Sequence, residues 1–161
     1  ERKRFMKIVS TLLGELEFEE EDIIMFPAGI PAFEQEKSFL LIAMGEGVPF
    51  YYLQSALNPE LCLVVANPFA FFPRYSIEIG QEELQRLDCS QREELLLYVI
   101  LTVPQDFRES TANLVAPLII NQESKKGLQF IATNSDYTTR HPIFQPTQAE
   151  EQTGIAAAEE G

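Results

Sequence analysis

Leu95-Leu96-Leu97-Tyr98-Val99-Ile100-Leu101-Thr102-Val103 is apolar at odd and even positions alike and stops at Pro104. A strand sends successive side chains to opposite faces, so a run with no polar parity leaves no face for water. This segment therefore has to be covered on both sides. A chain built around it needs further strands and an outer layer as well.

Thr111 to Asn121 reads as the next strand. At a period of two, Leu114, Ala116, Leu118 and Ile120 fall on one face; Asn113, Val115, Pro117, Ile119 and Asn121 fall on the other. Gln122 to Lys126 is polar and ends at Gly127, after which Leu128 to Ile131 returns as a hairpin partner across a longer, glycine-containing loop. Pro117 has no backbone donor and belongs at an edge or a bulge. Asn113 and Asn121 are expected to tie down turns, because Asn side chains readily bond nearby backbone, although the mixed face would also let them meet a partner.

The rest of the chain supplies short strands separated by turn signals. A strand pattern begins just after Met6. From Leu12 to Phe18, Leu16 and Phe18 point one way and Glu15, Glu17 and Glu19 the other. The carboxylate stripe has two readings: a docking face for a basic protein, or an edge strand whose charge blocks unwanted pairing. Glu20 to Asp22 turns the chain and Ile23 to Phe26 returns. Phe26-Pro27-Ala28-Gly29-Ile30-Pro31-Ala32-Phe33-Glu34 is too rich in Pro and Gly to be regular structure; it reads as a stiff loop holding Ile30 and Phe33 either as core plugs or as partner anchors. Further strands are expected at Phe39–Ile42, Phe50–Ser55, Leu61–Val65 and Tyr75–Ile79, with an aromatic loop at Phe69 to Pro73. Gly80 to Asp88, with Leu84 and Leu87 three apart and acidic residues early, predicts one short helix. Closely spaced short strands of this kind point to a sandwich or a barrel.

The domain organisation follows: a basic extension or cloning remnant at residues 1–5, one folded β domain over 6–144, and an aperiodic tail over 145–161 that is expected to be mobile. The formal charge is −13, most of it in the folded body. That balance argues against direct binding of nucleic acid through phosphate neutralisation and favours solubility or a basic partner. No apolar run approaches the ~20 residues that span a bilayer. Cys62 and Cys89 are too far apart for a metal clip and too few for a disulfide scaffold. His141 is the single histidine, there is no phosphate-binding glycine loop, and no calcium-loop spacing occurs. The expectation is a non-enzymatic protein with no catalytic residues, metal or cofactor. The competing reading is a small acidic barrel that binds a metabolite or performs carboxylate-based hydrolysis.

Four stretches taken together carry a resemblance: Phe26 to Glu34; Pro49-Phe50-Tyr51-Tyr52-Leu53-Gln54-Ser55; Thr111 to Asn121; and Gly127-Leu128-Gln129 with Tyr137 and Arg140. In order and spacing they resemble the bacterial flagellar assembly factor FliW family over about Met6 to Phe144. Ala32 departs from that pattern, which more often has glycine there. The resemblance implies a mainly β, single-domain pseudo-barrel of short, largely antiparallel strands capped by one short helix. It also implies a cytoplasmic protein that binds flagellin and the RNA-binding translational regulator CsrA, and contacts no nucleic acid, membrane or small-molecule substrate directly. The residues put forward for protein binding are Glu15, Glu17, Glu19, Ile30, Phe33, Glu34, Asp136 and Tyr137; those put forward as structural are Gly29, Asn113, Pro117 and Asn121.

Overall fold

The structure, a computed structural model, describes residues 5–30, 32–133 and 136–144. Its strands are β1 (Phe5–Ser10), β2 (Gly14–Glu19), β3 (Ile24–Met25), β4 (Ser38–Ala43), β5 (Phe50–Ser55), β6 (Cys62–Ala66), β7 (Leu95–Thr102), β8 (Thr111–Ala112), β9 (Leu118–Asn121), β10 (Lys126–Gln129) and β11 (His141–Pro142). One short helix, α1 (Gln81–Arg86), lies between β6 and β7.

The strands β7, β6, β5, β4, β3, β10 and β9 follow one another in hydrogen-bonded order, and β9 pairs again with β7. The sheet therefore closes into a seven-stranded barrel. Its pairings are antiparallel except β3 with β10. Closure pairs off most of the sheet edges that would otherwise invite other chains. Inside, Phe39, Leu53, Val65, Tyr98, Leu118 and Ile120 form the centre of the core. Phe26 meets Phe39 edge-on at 5.5 Å between ring centroids, and Tyr51 meets Tyr98 the same way at 5.1 Å. Burial in this core pushes the Tyr98 hydroxyl up to about 12.

Three further clusters pack on the outside of the barrel. Ala66, Val99 and Leu101 are covered by Tyr75, Leu114 and Ile143. Leu95, Ile119 and Leu128 are covered by Leu84 of α1 and by Leu87 just after it. Leu40 is covered by Ile8 and Phe18 from the β1–β2 ribbon, which pairs only with itself. The double-sided apolar pattern of Leu95 to Leu101 is the result: β7 has the lumen on one face and two outer clusters on the other.

Three sequence expectations are corrected. Thr111 to Asn121 is not one strand. An unbroken ladder running from the Leu101–Ala112 pair would bring Val115 opposite Tyr98, but Leu118 lies there instead. The surplus residues bulge out between β8 and β9, where Asn113 Oδ1 accepts hydrogen bonds from the Val115 and Ala116 amides, both at 3.1 Å, and Pro117 needs no donor. Tyr75 to Ile79 alternates in burial without joining a sheet, because it lies over the barrel as a cover and not beside a strand. Gly127 is a strand residue, not the turn glycine. Its ladder partner is Ile120, and a Cβ there would sit 2.6 Å from the Phe26 ring.

Placing alanine at Gly127 would ordinarily favour a strand. Here the Phe26 ring reverses the sign. Gly127→Ala is expected to lower stability by about 1–3 kcal/mol through overpacking. Urea denaturation followed by circular dichroism checks this, and an unchanged or raised midpoint would refute the packing argument.

Candidate interaction surfaces

The carboxylate stripe lies on the outer face of the β1–β2 ribbon. Cross-strand pairing sets Phe5 against Glu19, Lys7 against Glu17 and Val9 against Glu15. Phe5 and Val9 are exposed on this face, so it alternates apolar and acidic groups and is not purely acidic. Lys7 Nζ reaches Glu15 at 3.3 Å across the surface. An exposed pair of this kind contributes little stability, and it leaves the face net acidic. The ribbon is fastened at its tip. Ser10 Oγ donates to Gln54 Oε1 at 2.7 Å, and the Gln54 amide donates to the carbonyls of Ser55 and Asn58. The Thr11 amide adds a bond to the Pro59 carbonyl. Gln54 is fully buried, so these bonds satisfy a side chain that would otherwise destabilise the fold.

The loop after β3 separates the two residues that the sequence put together. Ile30 is 1% exposed and belongs to the barrel core, whereas Phe33 is 39% exposed. Of the two, Phe33 alone offers a face to a partner. The reason is local: the Gly29 amide donates to the Phe26 carbonyl and the Phe33 amide to the Ile30 carbonyl, so the chain doubles back. Gly29 has φ +72°, and a Cβ there would meet the backbone of Glu34. Ala32 also takes a positive φ, +77°, a region where glycine is the easy occupant. Glu34 is exposed, and its carboxylate accepts from the Ala32 amide at 3.3 Å.

Phe33 and Ile30 stand at one mouth of the barrel, beside Asn113, Gln129 and Arg140, around a cavity of ≈300 Å³. Residues from three separate sequence stretches thus meet in one place. Gln129 donates to the Ala116 carbonyl at 2.8 Å, and its own buried carbonyl has no partner among the described residues. Tyr137 lies in the outer layer, its ring 4.8 Å from that of Tyr75 and its hydroxyl accepting from the Ser76 amide. Asp136 is exposed in the preceding turn. Asn121 is buried; its amide donates to the Leu87 and Asp88 carbonyls and its Oδ1 accepts from the Glu123 amide, joining the end of α1 to the β9–β10 loop. Two surfaces have no counterpart in the sequence reading. One is an apolar groove of ≈320 Å³ between Leu12, Phe50, Tyr52, Val103 and Phe107; its signal was the outward parity of β5, readable only once the lumen side was known. The other is a cleft beneath the ribbon that contains Glu17 and Asp22.

Carboxylate chemistry calls for two converging acids in a buried polar pocket. Glu17 and Asp22 share their cleft, but both are exposed. Among the described residues no group of three His, Cys, Asp or Glu side chains converges as metal ligands. Cys62 and Cys89 are free thiols whose pKa burial pushes up, which disfavours the reactive thiolate. What the geometry presents is surface for recognition.

Comparison with known proteins agrees with this architecture. The family model described as "FliW protein" matches residues 7–143. The flagellar assembly factor FliW of Geobacillus kaustophilus is 43% identical over 139 residues, covering 86% of this chain and 96% of that protein. The protein of the same name from Bacillus subtilis is 38% identical over 130 residues, covering 81% and 91%. A crystal structure of the flagellar assembly factor FliW superposes with a TM-score of 0.81 at 41% identity, covering 87% of this chain and 98% of that one. The chain belongs to the FliW family.

The different settings of Ile30 and Phe33 give a direct test. Ile30→Ala is expected to cost about 2–5 kcal/mol of stability. Phe33→Ala is expected to cost no more than about 1 kcal/mol. Chemical denaturation of both variants checks the contrast, and equal losses would contradict the assignment of Ile30 to the core and Phe33 to the rim.

Proposed function

We propose that this FliW-family chain is a cytoplasmic, non-enzymatic flagellar assembly factor that binds flagellin and antagonises CsrA, relieving repression of flagellin translation. The observation that carries the reading is the outer face of the β1–β2 ribbon, where Glu15, Glu17 and Glu19 line one side of a chain of net charge −13. An RNA-binding regulator has to present basic surface to phosphates. Such a surface is drawn to an acidic face, and carboxylates held near it repel an incoming phosphate backbone. RNA binding then weakens without the protein filling every RNA contact, which is a coupling between neighbouring sites. Exposed Phe5 and Val9 on the same face supply apolar contact beside the charge, so the docking is not electrostatic alone.

Flagellin is assigned to the other end of the loop system, at the barrel mouth. Phe33 is held there by a doubled-back loop, and an anchor that is already ordered gives affinity at low entropic cost. Glu34, Asp136 and Tyr137 are the further residues put forward for protein contact. Tyr137 is half-buried, and its hydroxyl, which accepts from the Ser76 amide, keeps its own proton to donate.

Glu15→Lys, Glu17→Lys and Glu19→Lys together are expected to weaken CsrA binding by roughly one to two orders of magnitude at low salt, with a smaller loss at high salt. Calorimetric titration across a salt series checks this. An affinity unchanged at every salt concentration removes the ribbon from the mechanism.

A further inference from the structure

Among the described residues the barrel wall is left open beside β4. The Ala56 amide donates to the Ser38 carbonyl at 2.8 Å and the Met44 amide to the Phe50 carbonyl at 3.1 Å. These two bonds fix the phase of the β4–β5 ladder: Leu40 and Ile42 exchange hydrogen bonds with Gln54 and Tyr52, while Phe39, Leu41 and Ala43 turn their amides and carbonyls to the opposite edge of β4. On that edge Phe39 meets Ile24 of β3. But β3 begins at Ile24; before it, Glu20–Asp22 forms a 3-10 turn that carries the chain away. Leu41 and Ala43 consequently have no backbone partner on that edge among the described residues.

Leu41 lines a cleft of ≈420 Å³, and exposed Ala43 lies two residues further along the same edge. Half-buried Leu41 forms the cleft's apolar floor above fully buried Ile120, and Leu16 and Phe18 of the ribbon overhang it. Glu17 and Asp22 stand at its outer lip, and Lys125 lies on the opposite wall. An edge with alternate free donors and acceptors recognises an extended backbone, and alternate side-chain pockets then set its specificity.

We infer that the Leu41–Ala43 edge of β4 is a strand-addition site for an extended segment of a partner protein that alternates apolar and basic side chains. The added strand continues the line of β3. Its amides and carbonyls pair with Leu41 and Ala43, its apolar side chains rest on Leu41, and its basic side chains meet Glu17 and Asp22. Lys125 across the cleft fixes the polarity, so the basic side chains lie on the ribbon side. The site shares Glu17 with the outer ribbon face and is separate from the Phe33 rim, and Ala43 is on neither.

The probe is a short fluorescent peptide alternating Lys and Val, followed by anisotropy against the full chain, with a Glu/Val peptide of the same pattern beside it. Ala43→Pro deletes a donor that lies on the unpartnered edge of β4 and takes no bond from the β4–β5 ladder, a position where an edge strand tolerates proline. Saturable binding of the Lys/Val peptide is expected, with no binding of the Glu/Val peptide and a roughly ten-fold loss on Ala43→Pro, as for one or two backbone hydrogen bonds. Should Ala43→Pro fail to fold, a Lys/Val peptide N-methylated along the edge that meets β4 replaces it, with the same loss expected against the unaltered chain. Binding that survives both changes, or that is equal for the Glu/Val peptide, overturns the proposal. Binding that appears only after residues 1–4 are deleted would give the edge to the chain's own N-terminal residues and overturn it as well.

Discussion

The pairing of β7 with β9 holds the architecture together. Without the register Leu95–Asn121 through Tyr98–Leu118 the strands from β3 to β7, with β9 and β10, would be an open sheet with a long apolar edge. With it, the two strands that meet there each present apolar side chains inward and outward: Leu96, Tyr98, Leu118 and Ile120 to the lumen, Leu95 and Ile119 to the helix α1 outside. One closure thus creates both the central core and the surface on which an outer layer packs. Non-local pairing of this kind is entropically costly to form and is offset only when the whole ring is in place.

The outer layer explains where recognition surfaces can lie. The barrel has three covered sectors, under the β1–β2 ribbon, under α1, and under the Tyr75, Leu114 and Ile143 cluster. Accessible surfaces among the described residues include the outside of the ribbon, the mouth at Phe33, the apolar groove beside Phe50 and Tyr52, and the opening along β4. The ribbon contributes to two of these at once. Its inner residues Leu16 and Phe18 attach it to Leu40, and the same strand turns Glu15, Glu17 and Glu19 outward. The period of two along β2 is therefore what converts packing into an interaction face.

Much of this was legible in the sequence wherever the signal was local. The apolar run at Leu95 to Val103, the alternation of β2, the helix at Gly80 to Asp88 and the non-regular loop around Gly29 follow from periodicity and from the conformational limits of Gly and Pro. What failed depended on contacts far apart in the chain. Alternation made Thr111 to Asn121 look continuous, because the bulge after Asn113 shows only in the register of the two flanking segments against β7. Tyr75 to Ile79 has strand alternation for another reason: it is a cover lying on one apolar surface. Gly127 looked like a turn glycine because the ring that requires it, Phe26, is distant in sequence. Ile30 and Phe33 could not be told apart without the hydrogen bonds that fold their loop back. The opening in the wall had no sequence signature, since it arises from the shortness of β3 against the greater length of β4.

Native-state hydrogen exchange tests the claim that closure through β7 carries the fold. Buried amides of a cooperative core exchange only on global unfolding, while fastened-on elements open at lower free energy. The amides of Leu96, Tyr98, Leu118 and Ile120 should exchange slowest, with the free energy of global unfolding, and those of the β1–β2 ribbon should exchange by a lower, separate opening. If the ribbon were as protected as β7, or β7 and β9 opened before it, the barrel closure would not be the interaction on which the rest depends.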